Sequence, residues 1–459
     1  MGDKFLDALR IKVVLSLAIL IIGGLAVPFF ISNVNASQPQ APGFLIDFGD
    51  WNVTFTTMDM QKNTDPYDAL EVACTSNNFT STLDGSGTVE EINGISADEA
   101  HTWDLWTISN NSITWVKQDD PHNTDLSGYT IAAWAYTGSG GTPTVAVDDT
   151  GRSIYGYQTA QRIITLSPAL TEITGSLRAV TSLVGTDLYS NYPSTVVAGQ
   201  NNGTIQIVGD YLNPSFEQIV ARVPDMVLCD GSLYSHYAMC EKLRNTGVNS
   251  VLMYGGDSVQ TIMDNIYIAG VVLGYGMRAG IVINSIETAE QEITSTIAAD
   301  PQASHDGVML ALSPDKSPWV SGSDTYMADL TSAVGGNNVF SHQSGWVQIN
   351  SEQIMSANPS VIILYSTEYS ATQDDYNSMI NSLPAEWKAT SAYKSGNIYL
   401  VCGTAGEMSQ IPGPRFIQLM ELTARILHPD VFTDIQIPKY IGYNYEDFLT
   451  FTKDLDFNN

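Results

Sequence analysis

Histidines and carboxylates are the side chains of this sequence that could bind a metal ion or transfer protons. The chain has 49 acidic residues, so pairs of carboxylates are frequent and indicate no particular reaction. A zinc or manganese site would need histidines and carboxylates that converge at fixed spacing. The six histidines show no such spacing; they are His101, His122, His236, His305, His342 and His428. The sequence therefore predicts no metal site.

Sequence motifs of the common enzyme classes are absent from the chain. It has no GxSxG nucleophile elbow, no HExxH zinc motif, no GxxxxGK phosphate loop and no CxxC pair. A formal net charge of -30 would repel a nucleic-acid backbone. We therefore expect a protein that is not an enzyme, has no cofactor of its own and does not bind nucleic acid.

Four cysteines allow one or two disulfides but exclude a disulfide-dense scaffold. Cys229 and Cys240 are the best candidates for a bridge. Unpaired buried thiols are the alternative, because free cysteine is among the most buried residue types.

The N-terminus has the pattern of a membrane segment. Basic residues precede an apolar run, Val13–Ile31, that nearly reaches the roughly 20 residues needed to span a bilayer as a helix. We favour a permanent anchor, and a signal peptide cleaved after Ala36 is the alternative. In either case the rest of the chain is expected outside the cell or in the periplasm.

Composition changes along the chain predict several domains. A Gln/Pro-rich linker leads to a region rich in aromatic and β-branched residues, typical of a small α+β domain. From Arg162 onward, short apolar runs alternate with helical periodicity, which indicates parallel sheets covered by helices. The buried-strand candidates are Ile163–Leu166, Met226–Cys229, Val308–Leu312, Val361–Leu364 and Ile398–Val401.

The predicted fold is α/β, with two lobes joined by a long helix, a small preceding α+β domain and an N-terminal transmembrane helix. Its predicted boundaries are 1–36 for the anchor or signal peptide, 37–43 for the linker, 44–150 for the small domain, 160–275 for lobe 1, 276–300 for the helix and 301–459 for lobe 2 with the C-terminal tail.

A weak internal repeat supports the two lobes. Glu217 stands seven residues before Pro224, and Glu352 stands seven residues before Pro359. Each proline is followed by a predicted strand, so each glutamate would lie in a short helix that ends before the proline and leads into a buried strand.

A strand-to-helix junction begins lobe 1, where Ser167 is a candidate N-cap and Pro168 occupies the first helical position. In order along the chain, several segments resemble landmarks of the periplasmic binding protein family that serves vitamin B12 and ferric siderophores. They are Arg162–Pro168, Val184–Asp187, Asn191–Pro193, Val208–Asp225, Ser321–Ser323, Gly335–Phe340, Gly345–Gln348, Glu352–Pro359 and Pro412–Arg415.

This resemblance implies a ligand cleft between two lobes and a partnership with the permease and ATPase of an ABC importer. It also implies that a glutamate on each lobe docks onto the permease, and the matching positions here are Glu217 and Glu352. Charge complementarity at such sites would guide orientation and encounter rate.

The resemblance places aromatic side chains in the cleft, with Tyr211 standing where vitamin B12-binding members have Trp. The predicted ligand-binding residues are Tyr192, Tyr211, Trp346, Asp230, Trp319 and Glu407. Aromatic side chains suit a bulky macrocycle, and the assigned segments are poor in basic residues that would bind an anionic ligand. We therefore expect a corrinoid, with a ferric siderophore or haem as the alternative.

The small domain resembles the C-terminal part of transcobalamins, in which a related domain covers bound cobalamin. The similar segments are Asp65–Cys74, Val89–Ile95, Trp103–Trp106 and Tyr129–Tyr136. A spacer or adhesion module fits this region as well, so a cell-surface adhesion or scaffold protein remains a rival function. A metal-ion importer is a second rival, in which His236 and His342 would meet across the cleft.

Overall fold

The computed structural model describes residues 43–48, 53–109, 115–139, 141, 143, 146–151, 153–154, 159–299 and 307–457. The predicted anchor and nearly all of the predicted linker lie outside these residues. Within them, no helix combines the length and the apolar character that crossing a bilayer requires.

The described residues form two compact units. The N-terminal unit contains the described chain up to Met253 together with Asp264–Ile283, and the C-terminal unit contains Tyr254–Met263 and Asn284–Phe457.

The N-terminal unit begins with a mixed sheet of order β2-β1-β8-β6-β7, a small sheet β3-β4-β5 and a hairpin β9-β10. Helix α1, Pro66–Asn77, is capped by the Asp65 carboxylate, and it covers a core that includes Trp103 and Trp134. The strands are β1 Gly43–Asp47, β2 Val53–Thr57, β3 Ser81–Leu83, β4 Val89–Ile92, β5 Ile95–Ser96, β6 His101–Ser109, β7 Val116–Lys117, β8 Tyr129–Gly138, β9 Ala146–Val147 and β10 Ser153–Ile154.

A parallel sheet with the strand order β13-β12-β11-β14-β15 follows in the same unit. Its central strands are wholly buried, as expected for a parallel sheet with helices on both faces. The elements are β11 Ile163–Thr165, α2 Pro168–Ser176, β12 Leu183–Thr186, α3 Ser194–Asn202, β13 Gln206–Ile207, α4 Phe216–Ala221, β14 Met226–Asp230, α5 Tyr234–Asn245 and β15 Ser250–Met253.

Two helices follow β15, and the predicted helix 276–300 corresponds to the second of them. They are α6, Val259–Leu273, and α7, Gly276–Ala298. Gly274, at φ +75°, separates them, because its left-handed backbone ends α6. The boundary between the two units falls inside α7, after Ile283.

The C-terminal unit has a mixed sheet of order β19-β17-β16-β20-β21-β22, with β18 paired to β16. Strands β16, β20, β21 and β22 are parallel, whereas β17 runs antiparallel to β16 and to β19. Its elements are β16 Gly307–Ala311, β17 Trp319–Ser321, α8 Tyr326–Ala333, β18 Asn337–Asn338, β19 Trp346–Gln348, α9 Ser351–Ala357, β20 Val361–Ser366, α10 Gln373–Ser382, α11 Ala385–Lys388, α12 Ser391–Lys394, β21 Ile398–Cys402, α13 Gly403–Glu407, α14 Phe416–Leu427 and β22 Tyr440–Ile441.

Several local predictions are confirmed. All five predicted buried strands are present as β11, β14, β16, β20 and β21, within two residues at each end. Ser167 is the N-cap of α2, and its hydroxyl accepts a hydrogen bond from the Leu170 N–H at 3.4 Å. The preferred disulfide between Cys229 and Cys240 is not formed, since all four cysteines are buried free thiols. Cys229 and Cys240 pack in one apolar cluster between β14 and α5.

Candidate functional site

The strand order of the parallel sheet in the N-terminal unit contains a topological switch point. From β11 the chain moves outward to β12 and β13 on one side, and then returns to β14 and β15 on the other side. Open α/β sheets bind ligands outside the carboxyl ends of the strands at such a point. We call the carboxyl ends of β11, β12 and β14 edge 1; these strands end at Thr165, Thr186 and Asp230.

Two of the predicted ligand-binding residues meet at edge 1 through a shared serine. The hydroxyl oxygens of Tyr211 and Ser232 are 2.6 Å apart. Ser232 also donates from its hydroxyl and its N–H to Asp230 Oδ1, at 2.6 and 3.0 Å. Tyr211 is 7% exposed and Asp230 5% exposed. The two side chains are therefore fixed in one hydrogen-bond network, which limits their rotamers before any ligand arrives.

His236 stabilises the same network through hydrogen bonds to the backbone of Asp230 and Tyr211. The Asp230 N–H donates to His236 Nδ1 at 3.0 Å, and His236 Nε2 lies 2.6 Å from the carbonyl oxygen of Tyr211. Because Nδ1 accepts and a carbonyl can only accept, the proton belongs on Nε2 and the ring is neutral. Burial lowers the pKa of His236, which favours the same neutral form. Both ring nitrogens are used inside the fold, so His236 is a positioning residue.

Asp187 is a further buried carboxylate at edge 1, directly after β12. Its carboxylate accepts hydrogen bonds from the Ser190 hydroxyl and, at 2.7 Å, from the Tyr189 N–H. Burial, with a smaller contribution from the nearby charge of Asp230, raises the pKa of Asp187 to about 6 despite these hydrogen bonds. Edge 1 is therefore polar and rich in carboxylates. Tyr192 lies half-buried in the loop between Asp187 and α3.

In the C-terminal unit, the carboxyl ends of β16, β20 and β21 form edge 2. Strand β17 lies beside the end of β16, since Ala311 pairs with Val320. Trp319 pairs with Gln348 and Ser321 pairs with Trp346 in the β17–β19 ribbon. Trp319 and Trp346 therefore project from the same face as diagonal neighbours, at a typical spacing of roughly 7–8 Å. Both side chains are half-buried.

A close backbone approach holds this ribbon in place. Gly322 donates its N–H to the Gly345 carbonyl at 2.8 Å, and a Cβ on Gly322 would lie 2.2 Å from the Gln343 carbonyl oxygen. Only glycine fits there. Two of the sequence landmarks, Ser321–Ser323 and Gly345–Gln348, thus pack against each other and set the position of Trp346.

Glu407 occupies the end of α13, directly above edge 2. A Cβ on Gly406 would come within 2.8 Å of the Ser366 carbonyl oxygen and 2.9 Å of the Val401 carbonyl oxygen. Helix α13 therefore lies tightly over the ends of β20 and β21, and the half-buried Glu407 is placed at these strand ends.

The match to a family model decides the class of this chain. The model described as "Periplasmic binding protein" matches residues 163–402, which include both edges. The chain belongs to the periplasmic binding protein family. Membership of this family means a binding role rather than catalysis, so the prediction that the chain is not an enzyme is confirmed.

Known proteins of similar sequence and fold agree with this family. The chain is 26% identical over 295 residues to the uncharacterized ABC transporter substrate-binding lipoprotein YvrC of Bacillus subtilis, an overlap of 63% of this chain and 87% of YvrC. A periplasmic heme binding protein from Pseudomonas aeruginosa has 18% identity and a TM-score of 0.51, covering 59% of this chain and 93% of its own. A periplasmic solute binding protein from Veillonella parvula has 19% identity and a TM-score of 0.52, covering 69% and 93%. These two structures show a shared fold.

The two glutamates predicted to dock onto a permease occupy equivalent local positions. Glu217 is the second residue of α4, capped by the Ser215 hydroxyl, and Glu352 is the second residue of α9, capped by Asn350. Both side chains are exposed. Each helix leads into a buried strand, β14 or β20, so the internal repeat predicted from the sequence is present in the structure. An acidic residue in a first helical turn also stabilises the helix, and the docking role stays a prediction.

The part of the chain that the structure describes contains no group of three or more His, Cys, Asp or Glu side chains suited to a metal ion. His236 is committed to the network of edge 1, while His342 is exposed in the C-terminal unit.

Sequence reasoning missed the polar supports of edge 1: Asp187, Ser190, Ser232 and the positioning role of His236. Asp187 is the last residue of the landmark Val184–Asp187, and its position directly after a strand could have identified it. The hydrogen bonds to Ser232 and His236 join residues up to 25 positions apart, and no local pattern reports such contacts.

Proposed function

We propose that this chain is the substrate-binding component of an ABC importer, tethered to the membrane outside the cell, and that it delivers a corrinoid to a permease and its ATPase. The family match over residues 163–402 carries this proposal. The name of YvrC, an ABC transporter substrate-binding lipoprotein, supports the transporter class and the membrane attachment.

The chemistry of the two edges favours a corrinoid over an anionic iron complex. The six candidate residues comprise four aromatic side chains and two carboxylates, and the two carboxylates, Asp230 and Glu407, lie at different edges. Haem and many ferric siderophores carry negative charge and would meet no counter-ion among these six side chains. A corrinoid offers a broad apolar ring for aromatic contact and peripheral amides whose N–H groups can donate to carboxylates.

The region 44–150 adds to the proposal through its resemblance to the transcobalamin C-terminal part. We propose that it covers the bound corrinoid or passes it to the binding lobes. A spacer module would have no effect on ligand affinity, whereas a covering domain would slow ligand release.

Calorimetric titration of the purified full-length protein tests the function. The probes are cyanocobalamin, hemin, a ferric hydroxamate siderophore and zinc. We expect cyanocobalamin to bind with a Kd between nanomolar and micromolar, equivalent to about 8 to 12 kcal/mol, and the other three to bind more weakly.

If hemin or the siderophore bound more tightly than cyanocobalamin, the importer function would stand, but the corrinoid would be the wrong ligand. Binding of zinc alone would point to a metal-ion importer. If none of the four bound, the adhesion or scaffold function would replace transport.

A further inference from the structure

The C-terminal tail, residues 428–457, lies beyond the segment that the family model matches. It is held against α14 by buried charged side chains. Arg425 donates to Glu421 in its own helix at 2.9 Å and to Asp434 of the tail at 2.8 Å. The Glu421 carboxylate also accepts a hydrogen bond from the Thr450 N–H at 2.7 Å. Because the side chains of Glu421 and Arg425 are 0% exposed, these charge-assisted bonds fix the course of the tail.

The tail buries its apolar side chains with one exception. Within residues 428–457, every Val, Ile, Leu, Phe and Tyr side chain is buried or half-buried except Tyr443, which is 78% exposed. Tyr445, two residues further on, is 2% exposed, and its hydroxyl donates to Gln418 Oε1 at 3.1 Å. The exposure of Tyr443 therefore belongs to a well-anchored turn that presents this one aromatic side chain to the solvent.

The turn that carries Tyr443 lies at edge 2. Strand β22 runs parallel to β21, with Ile441 paired to Val401, so the residues that follow β22 lie at the same side of the sheet as the carboxyl end of β21. A Cβ on Gly442 would lie 2.3 Å from the Cβ of Ala371, in the loop after β20. The turn after β22 thus packs against the loop that follows another strand of edge 2.

The phenol end of Tyr443 lies against the first residue of α13. A Cβ on Gly403 would come within 3.2 Å of Cζ of Tyr443 and within 3.3 and 3.4 Å of its two Cε atoms, and Gly403 has a φ of +57°. A side chain at position 403 would therefore crowd the ring. Glu407, a predicted ligand-binding residue, is four residues further along α13, which is about 6 Å along the helix axis. Tyr443 and Glu407 thus lie near the two ends of one short helix at edge 2.

We propose that Tyr443 is a ligand-binding residue, through which the C-terminal tail adds aromatic contact area to edge 2 for a broad apolar ring such as a corrin. This inference rests on the proposed function and adds to its binding site a residue from outside the family match. The exposed part of the tyrosine ring contacts the ligand. Its contact with Gly403 limits the rotation of the side chain, which reduces the entropy lost on binding.

The strand order makes Tyr443 the counterpart of the tryptophans. Trp319 lies on β17, and Tyr443 follows β22 on the other side of the sheet, four strand spacings away in the order β17-β16-β20-β21-β22. At about 4.8 Å for each spacing, the two flanks of edge 2 are about 19 Å apart. A ligand that contacts both flanks must be broad, as a corrinoid with its peripheral amide side chains is.

Titration of the full-length protein with cyanocobalamin tests this contact. Tyr443→Ala should weaken binding by about tenfold, as truncation of an aromatic contact residue does, whereas Tyr443→Phe keeps the ring and should stay within about threefold of the wild type. Asn444→Ala is the matched control, because Asn444 is the exposed next residue of the same turn and its side chain makes no capping hydrogen bond. It should bind like the wild type. Thermal unfolding of each variant shows whether it is folded at the titration temperature.

Chemical modification gives a readout that a purely structural role would not change. Tetranitromethane nitrates exposed tyrosine rings, and mass spectrometry of peptides locates the modified residue. We expect Tyr443 to be nitrated in the free protein and to be protected by saturating cyanocobalamin. Tyr393 is the control, since it is half-buried in α12 near the amino end of β20, where the Ala392 N–H donates to the Pro359 carbonyl. Its nitration should be the same with and without the ligand.

The inference requires both the loss of affinity in Tyr443→Ala and the protection of Tyr443 by the ligand. If the wild type binds cyanocobalamin and either result is missing, the inference is wrong and the proposed function stands. An equal loss in Asn444→Ala would assign the effect to the turn, and a loss in Tyr443→Phe as large as in Tyr443→Ala would contradict an apolar ring contact. If the wild type does not bind cyanocobalamin, the corrinoid function fails first and the inference fails with it.

Discussion

Both edges lie at the carboxyl ends of parallel strands, yet edge 1 is built on buried carboxylates, whereas edge 2 has the half-buried Glu407 beside two tryptophans. Edge 1 holds buried carboxylates and a tyrosine hydroxyl in a network anchored by Ser232 and His236. Edge 2 presents two half-buried tryptophans on one face of a short ribbon. Hydrogen bonds at edge 1 fix the orientation of its side chains. The two tryptophans at edge 2 offer apolar contact area, which depends little on the orientation of a ligand.

If both edges bind the ligand as the proposed function requires, this difference predicts that they contribute in different ways. Apolar contact supplies much of the affinity for a large ligand, whereas a few placed polar groups fix its orientation and its identity. Substitutions at edge 2 should therefore change affinity for all macrocycles alike, and substitutions at edge 1 should change which macrocycle binds.

The largest effect that separates the edges is expected in the pH dependence of stability. Burial raises the pKa of Asp187 from 3.8 to about 6. Between these values the folded state keeps a proton that the unfolded state has released, so the free energy of unfolding falls as pH rises through this window, by up to about 3 kcal/mol. Asp187→Asn removes this pH dependence of the unfolding free energy. The stability of the wild type relative to Asp187→Asn should therefore be lower at pH 7 than at pH 4, as measured by urea unfolding at both values.

Asp434 in the C-terminal unit is the matched control with the opposite sign. Its hydrogen bond with Arg425 lowers its pKa to about 2. The stability of the wild type relative to Asp434→Asn should therefore rise as pH increases from 2 to 4 and stay level above that. If the unfolding free energies of wild type and Asp187→Asn differed by the same amount at pH 4 and pH 7, the pKa of Asp187 would not be raised in the folded protein.

The sequence predicted the strands that form edge 1 and edge 2 better than the side chains that line these edges. Apolar runs identified the buried strands, because a strand covered on both faces has few alternatives to Val, Ile and Leu. The resemblance selected Tyr211 and Trp346; in the structure Tyr211 shares a hydrogen-bond network with Asp230 at edge 1, and Trp346 lies on the ribbon beside edge 2. Asp187 was missed as a site residue although it directly follows a strand, because in a chain with 49 acidic residues that position alone does not distinguish one carboxylate from the others.

The cysteines illustrate the same limit. Cys229 and Cys240 were correctly expected to lie close together, because a strand and the next helix pack on each other. Whether two neighbouring thiols are bonded depends on their relative geometry, which spacing in the sequence does not contain, and in the structure they are free.

The next effect tests edge 2. Trp346→Ala should weaken cyanocobalamin binding by about 2 kcal/mol, as truncation of an aromatic anchor commonly does. Because the loss is apolar, binding of hemin should weaken alike, so the preference for cyanocobalamin over hemin should remain. Calorimetric titration of both ligands measures the two quantities together.

Met355→Ala is the control for the loss of a large apolar side chain, since Met355 is 49% exposed in α9 of the same unit. It should bind like the wild type. A change of preference in Trp346→Ala, with affinity for cyanocobalamin intact, would reverse the roles assigned to the two edges.

The smallest effect on ligand affinity is expected at the docking glutamates, and this sets them apart from both edges. Glu217→Lys and Glu352→Lys replace exposed side chains in the first turns of α4 and α9. Reversal of charge near a helix N-terminus costs about 0.3–1 kcal/mol of stability and should leave the Kd for cyanocobalamin unchanged. Uptake of cyanocobalamin by cells should nevertheless fall, because the lysines would repel basic residues on a permease.

Gln218 provides a matched control for Glu217, since it is exposed in the same helix; Gln353, the corresponding residue beside Glu352, does not. Gln218→Lys adds a positive charge without removing the glutamate and should reduce uptake less than Glu217→Lys; Gln353 also completes the capping box of α9, so its substitution would confuse charge with helix stability. Uptake that survives both glutamate reversals would reject docking at these positions. Loss of ligand binding in either reversal would instead place that glutamate in the binding machinery, since a residue used only for docking contributes nothing to ligand affinity in the purified protein.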